Sequence, residues 1–400
     1  VVSADETWDI DLRLFSNVVV KNGATLTITC KVLMPEEGLI TVERGGKLIV
    51  DGGTVTRANT CGPTQFWRTI SAHGDPSSQA NGAVVRIMNG GLVEGAVAGV
   101  TTGAYPNNTS NLWGATVRVD NGTFRDCRKG VEFWPFYGTN TSYFKNAKFL
   151  RTNTGSSHTG VSMWRNNGVL FEGCTFTNMT RNGIITFDAS FSVQKACKFS
   201  GSSEAAIACS GADPLPLPVL IGDLADTEAD RNEFNGNTIG AHVTATRAKI
   251  YRSKMSNFDF DIAVIGQSIT TIGKNNFSAA AAGVTLESTG SLINKTNCNY
   301  YAGTQAGIFL KGRNSGFSFE EDGFNTLIHD VYLKNAGTTL GRIGNQGSAG
   351  NGIYNYFTPG KTEQIKTEPN QTAQFTYFYP QGSAAPKCAI NAVNCFPNSN

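Results

Sequence analysis

The chain has 400 residues, of which 16% are charged, and its formal net charge is +2 at neutral pH. Such a weak charge gives no electrostatic basis for binding nucleic acid or an anionic membrane, and no apolar run approaches the roughly 18 residues that would span a bilayer. With 45 glycines and 10% aromatic residues, the composition is typical of a folded, strand-rich protein and excludes a disordered one.

The first sixty residues alternate apolar and polar side chains, which is the pattern of short, half-buried strands. Turns are predicted at the pairs Asn22-Gly23, Gly45-Gly46 and Gly52-Gly53. We interpret residues 1–60 as an N-terminal cap with the opening coils of a solenoid. Residues 61–83 are predicted to form a loop insertion before the strands resume near Val84.

An internal repeat organises the rest of the chain. Each unit has an anchor, usually aromatic, followed six or seven residues later by Gly or another small residue and then an aliphatic one; the unit that begins at Phe149 has a longer loop. Successive anchors are 25, 27, 23, 35, 21, 22 and 24 residues apart, and such a period indicates a solenoid. The anchors are Phe124, Phe149, Phe176, Phe199, Phe234, Met255, Phe277 and Tyr301.

The repeats contain strand patterns and no long helical periodicity, so helical and leucine-rich solenoids are disfavoured. One coil of three short strands and three turns fits the period, with strands of successive coils paired in parallel. The sequence therefore predicts an all-β fold, a right-handed parallel β-helix over residues 1–358. Inward residues of adjacent coils should stack, so Phe176, Phe199, Phe234 and Phe277 are expected to form one internal row.

Cysteine positions give two further predictions. Cys174 and Cys197 each stand two residues before an anchor, where later coils have Asn232 and Asn275. We expect these two thiols to be buried, stacked neighbours without a disulfide. The chain has nine cysteines, an odd number, and the closely spaced pair near the C-terminus is predicted to form a disulfide. That pair is Cys388 and Cys395.

Two late segments break the repeat. Residues 211–230 contain prolines that a central strand would not tolerate, so we predict a loop insertion there. Its acids are candidate calcium ligands, although an acidic surface loop is the simpler interpretation. These acids are Asp213, Asp223, Asp226 and Asp230. From about residue 359 the repeat stops, and 359–400 is predicted to be a C-terminal cap and tail that covers the last coil.

The runs "GLITVERGGKLIVDGGTVT", "FWRTISAHGD" and "GLVEGAVAGV", with units such as "FEGCTF", resemble the secreted right-handed parallel β-helix proteins of Bacteroidetes. The resemblance covers about residues 5–380. It implies the same fold and export to the cell surface or medium, with the type IX secretion machinery as a partner during export. Such proteins commonly carry a C-terminal sorting domain, and none is visible in this sequence. The resemblance implies no catalytic residue.

Parallel β-helices include polysaccharide lyases and glycoside hydrolases as well as non-catalytic proteins. The hydrolase branch often has an Asp-Asp pair and a Gly-His-Gly segment, and this sequence has neither. The candidate acid pairs are Asp259 with Asp261, predicted to share a strand face, and the run Glu320–Asp322, although a solvated turn is the simpler interpretation of either. The four histidines are scattered, so a zinc site is not expected. No cofactor is predicted apart from the candidate calcium ion.

Aromatic residues give the strongest functional signal. The stretch "VEFWPFYGTNTSYF" is polar and turn-rich, and further tryptophans lie about one coil away on either side. Exposed rings along a solenoid suit the apolar faces of sugars, although packing of a loop onto the coils, or contact with a protein, would also use them. The candidate carbohydrate-binding residues are Trp113, Trp134, Phe136, Tyr137, Tyr143 and Trp164.

These features favour an exported, non-catalytic β-helix whose side surface contacts polysaccharide or a cell-surface protein. One alternative is a polysaccharide lyase or glycoside hydrolase with a divergent site. The other is a structural stalk or secretion cargo whose activity lies in a missing domain. Neither nucleic acid nor membrane insertion is expected.

Overall fold

The computed structural model describes residues 1–58, 65–107, 109–152, 157–211, 217–225, 227–236, 238–337, 339, 341–347, 353–368, 375–379 and 393–397. The chain divides into two compact units, Val1–Ala208 and Cys209–Asn400. In each unit the chain winds through coils, and each coil adds one short strand to each of three parallel sheets. We number these sheets first, second and third in the order in which a coil passes through them.

Unit 1 contains the following strands. Those of the first sheet are Glu6–Trp8, Thr25–Ile28, Lys47–Asp51, Val84–Met88, Thr116–Asp120, Tyr143–Lys145, Asn166–Glu172 and Ser190–Gln194, with Phe136–Thr139 also paired to Asn166–Glu172. Those of the second sheet are Leu12–Arg13, Lys31–Met34, Thr54–Arg57, Leu92–Glu94, Thr123–Arg125, Lys148–Leu150, Thr175–Thr177 and Lys198–Ser200. Those of the third sheet are Val18–Val20, Leu39–Val42, Trp67–Ala72, Ala96–Thr101, Lys129–Phe133, Thr159–Trp164 and Ile184–Phe187. Short 3-10 helices are Gln79–Asn81 and Ser110–Leu112, and strand Ala205–Ser210 contains the boundary between the units.

Unit 2 repeats the arrangement. Its first sheet contains Val219–Ile221, Arg247–Tyr251, Ile269–Gly273, Asn294–Asn297 and Phe317–Glu320. Its second sheet contains Asn232–Asn235, Ser253–Ser256, Asn276–Ser278, Tyr300–Ala302 and Gly323–Asn325. Its third sheet contains Ile239–Thr244, Phe260–Ile265, Ala282–Glu287, Ala306–Lys311, His329–Lys334 and Ile365–Thr367. Two further pairs are Arg313–Asn314 with Arg342–Ile343 and Phe375–Tyr379 with Val393–Pro397.

The repeat anchors lie inside the coils, on the second sheet. In unit 1 the rings of Phe149, Phe176 and Phe199 are stacked in parallel, with centroids 4.6 Å apart at each step. In unit 2, Phe234 pairs with Met255 and Met255 with Phe277, in register. All of these side chains are buried. The predicted inward rows are therefore confirmed within each unit. Because each coil contributes one anchor residue to its row, the length of a coil sets the period of the sequence.

The small residue of each repeat has a steric origin. A Cβ added to Gly160 would lie 2.6 Å from Cδ1 of Phe176, and one added to Gly183 would lie 2.8 Å from Cδ1 of Phe199. Each glycine thus lies against the anchor ring of the following coil. A larger side chain would displace that ring, which is why the repeat pairs an aromatic anchor with Gly.

A polar row runs beside the anchors. In unit 1 the backbone N–H of Cys174 donates to Sγ of Cys197 at 3.2 Å. Both thiols are buried, and neither forms a disulfide. In unit 2 the same row continues as an asparagine ladder, in which the N–H of Asn275 donates to Oδ1 of Asn299 and the N–H of Asn299 to Oδ1 of Asp322. The prediction of free, stacked cysteines is confirmed.

Three predicted boundaries need correction. Residues 61–83 are not wholly a loop, because Trp67–Ala72 is a third-sheet strand with a fully buried Trp67. The segment lacked an obvious alternation because its small polar residues Thr69 and Ser71 are buried as well. The coils also continue past residue 359, since Ile365–Thr367 pairs with His329–Lys334. Likewise, the 211–230 segment contains the first-sheet strand Val219–Ile221.

These parallel sheets, with little helix, make the chain a right-handed parallel β-helix protein. In the part of the chain that is described, no helix is long and apolar enough to cross a membrane. Of the predicted disulfide, Cys388 lies outside the described residues, and Cys395 is described only in its backbone. That disulfide stays a prediction.

Candidate functional site

Three neighbouring coils of unit 1 carry an outward aromatic residue at the same place. Phe133 pairs with Met163, and both are buried, so the next residue along each strand points outward. These next residues are Trp134 and Trp164, and Trp164 pairs with Phe187 in the following coil. We call the set Trp134, Trp164 and Phe187 the aromatic ladder.

The rings of the aromatic ladder touch one another. Trp134 and Trp164 are stacked with centroids 6.5 Å apart and planes inclined by 22°, and Trp164 meets Phe187 at 5.8 Å and 48°. Since coils are spaced by about 4.8 Å, the first distance requires the two tryptophans to be displaced sideways. Part of each ring face therefore stays open, and Trp164 remains 47% exposed.

A buried amide holds the two tryptophans in place. Nδ2 of Asn166 donates to the backbone carbonyls of both Trp134, at 2.8 Å, and Trp164, at 2.7 Å. Oδ1 of Asn166 accepts from Asn140, whose own Oδ1 accepts from Gln79. All three amide side chains are buried, so the network fixes the backbone under the ladder before any ligand arrives.

Polar groups border the ladder on the turn that follows it. Arg165 and Asp188 come directly after Trp164 and Phe187, both with left-handed φ angles of 47° and 49°, and their side chains are 3.6 Å apart. The pKa of Arg165 is raised, first by its hydrogen bond with Tyr137. Tyr137 is 69% exposed, so hydrogen-bonding groups and open rings lie side by side.

The acid two residues before Trp134 is already paired, as is Asp188 after Phe187. Glu132 lies on the outer face of the same strand as Lys129, forms an ion pair with it and is 8% exposed. Its neighbour in the next coil is Ser162, which is also buried. A carboxylate that is paired and covered is not available as a free general acid or base.

The other predicted sugar-binding residues lie elsewhere. Phe136 is buried, and a Cβ on Gly114 would lie 2.7 Å from its ring, so the expectation of an exposed ring at this position is wrong. Tyr143 lies on the first sheet, where its hydroxyl donates to Asp120 at 3.0 Å. Trp113 is half-buried after the 3-10 helix Ser110–Leu112. The structure therefore brings together Trp134 and Trp164, and Tyr137 interacts with Arg165 on the adjacent turn.

The predicted calcium ligands are only partly described. Asp213 and Asp226 fall outside the described residues. Asp223 accepts from the N–H of Ala225, and Asp230 accepts from Thr227, which are contacts of ordinary turns. Within the described ranges, no group of three or more His, Cys, Asp or Glu residues is placed to hold a metal ion. Calcium binding at this insertion stays a prediction.

The adjacent acids do not form a catalytic pair. Asp259 is exposed whereas Asp261 is completely buried, so the expectation that they share a face is wrong. In the second run, Glu320 is paired with Lys295 while Asp322 lies in the interior. Glycoside hydrolysis requires two carboxylates that face the same groove, and neither run supplies them.

Sequence reasoning missed Phe187 and Asn166. Phe187 had a usable signal, because each ladder residue stands four positions after the Gly of its repeat, in "GVEFW", "GVSMW" and "GIITF". In unit 2 the equivalent position in successive coils is occupied by Thr244, Ile265, Glu287, Lys311 and Lys334. Asn166 had no such signal, since its two acceptors are backbone carbonyls that the sequence does not reveal.

The comparison with family models agrees with the observed fold. The family model described as "right handed beta helix region" matches residues 159–324. No curated protein matches the chain.

Among solved structures, the periplasmic alginate epimerase AlgG is 11% identical, with 95% of this chain and 76% of that chain covered and a TM-score of 0.35. The catalytic unit of a GH87 α-1,3-glucanase from Streptomyces thermodiastaticus is 13% identical, with 90% and 61% covered and a TM-score of 0.36. The receptor-binding tailspike of bacteriophage Det7 is 9% identical, with 98% and 72% covered and a TM-score of 0.26. These values are too low to transfer a function.

Proposed function

We propose that this chain is a non-catalytic β-helix protein, displayed outside the cell, that binds polysaccharide along the aromatic ladder Trp134, Trp164 and Phe187. The observation that carries the proposal is the stacked tryptophan pair, in which Trp164 is exposed and Trp134 half-buried, positioned by hydrogen bonds from the buried Asn166 amide. Contiguous exposed rings are unfavourable in water, and a buried network that fixes their backbone gives them a defined shape.

Sugar fits this surface better than an apolar protein face does. The ladder extends over two coil spacings, roughly 10 Å, and rings along that length can meet the apolar C–H faces of successive sugar units. Tyr137, Arg165 and Asp188 lie along the same edge and can bond to hydroxyl groups. Affinity would come from several modest contacts made by one chain, so longer polymers should bind more tightly.

The absence of cleavage is part of the proposal. Glu132 is paired with Lys129 and nearly buried, and the acidic runs 259–261 and 320–322 are split between surface and interior. Binding without turnover is therefore what these side chains support. Export rests only on the resemblance to secreted Bacteroidetes proteins, and cell fractionation of the natural host would test it.

Affinity electrophoresis through gels that contain a panel of soluble polysaccharides tests the proposal. We expect the parent to be retarded by at least one polymer and Trp164→Ala to lose that retardation. The matched control is Tyr300→Ala, because Tyr300 is an aromatic residue with nearly the same exposure, 48% against 47%, on the second sheet of unit 2. Equal loss in both variants, or no retardation of the parent by any polymer, would contradict ladder binding.

Mass analysis of the same polymers after incubation separates binding from catalysis. Unchanged polymer supports the proposal. Unsaturated or hydrolysed fragments would instead establish the lyase or hydrolase alternative. If the parent protein neither binds nor cleaves any polymer, the remaining hypothesis is a structural stalk or a secretion cargo.

A further inference from the structure

A cavity of about 310 Å³ opens on the third sheet of unit 2. It lies on the row in which Phe260 pairs with Ala282, Ala282 with Ala306, and Ala306 with His329. The two alanines form its floor, and the larger side chains stand at its ends. Three coil spacings separate Phe260 from His329, roughly 14 Å, so the small side chains create a trough between two rings.

Aromatic side chains also form one side of this trough. Phe309 and Tyr332 pair in register, and their rings meet edge to face at 5.4 Å. Tyr332 also contacts His329, with centroids 5.2 Å apart. Because these rings hold one another, the wall is rigid and the trough keeps its shape without a ligand.

The lining decides which chemistry fits. Nearly all of it is apolar, and its polar groups are on Gln305, His329 and the hydroxyl of Tyr332. Burial, followed by the nearby Lys366 and Lys361, lowers the pKa of His329, so this ring is neutral at pH 7. The side-chain amide of Gln305 is exposed and makes no hydrogen bond within the described structure.

A sugar would be a poor occupant. Its ring carries hydroxyls around its edge, and a hydroxyl buried against Ala282 or Ala306 without a partner is unfavourable. A flat aromatic ring has no such groups and can lie on the alanine floor between the aromatic walls. One polar substituent at its edge could bond to the Gln305 amide.

We infer that this trough binds a planar aromatic group that carries one hydroxyl, such as a phenol or naphthol. The site is separate from the aromatic ladder and needs no polysaccharide. The hydroxylated ring could belong to a free small molecule or to a tyrosine side chain of a peptide. The experiment below distinguishes these two sources.

Isothermal titration with 2-naphthol, with the tripeptide Gly-Tyr-Gly and with cellobiose tests the inference on the intact chain. We expect 2-naphthol to bind, and Ala306→Leu, which fills the floor, to weaken it at least tenfold, equivalent to about 1.4 kcal/mol. The matched control is Ala302→Leu, which adds the same side chain on the second sheet of the same coil. Tyr332→Ala, which removes a wall, provides a second variant if Ala306→Leu unfolds.

The outcomes are distinct. Binding of 2-naphthol alone identifies a free aromatic molecule as the ligand, and binding of the tripeptide as well identifies a tyrosine side chain as acceptable. Either result, with selective loss in the floor or wall variant, supports the inference. Absence of 2-naphthol binding, equal loss in Ala302→Leu, or binding of cellobiose that Ala306→Leu abolishes would overturn it. Loss of the ladder function in Trp164→Ala would leave this result unchanged.

Discussion

Asp261 stands beside Gly283 in successive coils, so a carboxylate occupies the place where the neighbouring coil has only a hydrogen. The preceding coil also has glycine there, Gly240. Both carboxylate oxygens of Asp261 are buried without a hydrogen-bond partner. The ring of Phe277, on the following coil, is tilted by 25° against Tyr301, whereas Phe176 and Phe199 differ by 2°.

Replacement of Asp261 by Gly should therefore stabilise the protein. Removal of an unsatisfied buried polar group is worth about 1–3 kcal/mol, and the loss from added backbone freedom is smaller, about 0.5–1 kcal/mol. We expect a higher urea midpoint with an unchanged slope. A lower midpoint would mean that the carboxyl group has a partner that stabilises the folded state.

Asp261 should also make the folding stability depend on pH. Burial raises the folded-state pKa of Asp261 well above the ordinary value of 3.8, so the folded chain holds this proton more tightly than the unfolded chain. Stability from this group is then lost as the pH rises above about 4. The gain from Asp261→Gly should be smallest near pH 3.5 and grow toward neutral pH, and thermal unfolding at several pH values would measure it. Asp261→Asn, which keeps the shape, should remove the pH-dependent part alone.

Asp322 should make the folding stability depend on pH over a second, narrower range. Burial raises its pKa from 3.8 to about 7, although Thr296 and Asn299 donate to its oxygens. The parent should lose stability between pH 4 and pH 7 and change little through this group above that. Asp322→Asn continues the asparagine ladder without a charge, so we expect a melting temperature above that of the parent at pH 8 and close to it at pH 4. A lower value at pH 8 would contradict this.

Phe176→Ala should destabilise unit 1 strongly. Phe176 is fully buried between Phe149 and Phe199, and removal of such a ring leaves a cavity that costs about 3–5 kcal/mol. Denaturant unfolding measures the loss. Phe15→Ala is the matched control, because Phe15 is 82% exposed, and its effect should stay within about 0.5 kcal/mol.

Asn166→Ala should loosen the aromatic ladder. The substitution leaves the carbonyls of Trp134 and Trp164 and the amide of Asn140 without their hydrogen-bond partner. Each of these groups that stays buried should lower the free energy of unfolding by about 1–3 kcal/mol. Near-ultraviolet circular dichroism should report a changed tryptophan pair, and retention on polysaccharide should weaken even at temperatures where the variant is fully folded. Asn166→Asp keeps the size but not the N–H donors, so it should behave like Asn166→Ala. If Asn166→Asp instead retained full binding, the amide donors would not position the ladder.

Cys388 and Cys395 should be joined. Closure of so short a loop is worth about 2–3 kcal/mol. Intact-mass analysis after alkylation without reductant, under denaturing conditions, should show both thiols protected. The six cysteines that form no disulfide among the described residues, at positions 30, 127, 174, 197, 209 and 298, should react. Labelling at 388 and 395 would refute the pairing.

The fold was predictable because a large apolar anchor recurs once per coil in the interior. Phe176 and Phe199 recur with a nearly constant period, and the period survives replacement of a ring by Met255. The strand Trp67–Ala72 was not predictable in the same way, since burial on both faces removes the alternation that identifies a strand. Asp261 was misassigned because an acid two residues from another acid suggests a solvated face, whereas the glycine position of the repeat is an interior one.

The candidate site was predictable only in part. Trp134 and Trp164 were found because tryptophans in a polar stretch are conspicuous, but Phe136 in the same stretch points inward. The trough of unit 2 could not be predicted, because it forms where small alanine side chains leave space between larger ones. Ala282 and Ala306 are ordinary residues in the sequence, and only the register between coils places them in one line between two rings.

Within each unit, a coil pairs only with the coil before it and the coil after it. This arrangement determines how the unit should respond to a mechanical load. A load applied along the direction of stacking would act on one set of coil-to-coil contacts at a time, so coils should detach in sequence rather than together. Each detached coil would release a length of chain set by its own repeat of roughly 20–30 residues. Single-molecule extension should therefore give a series of small, similar steps, with the largest forces at the coils whose Phe rings and glycines are in closest contact.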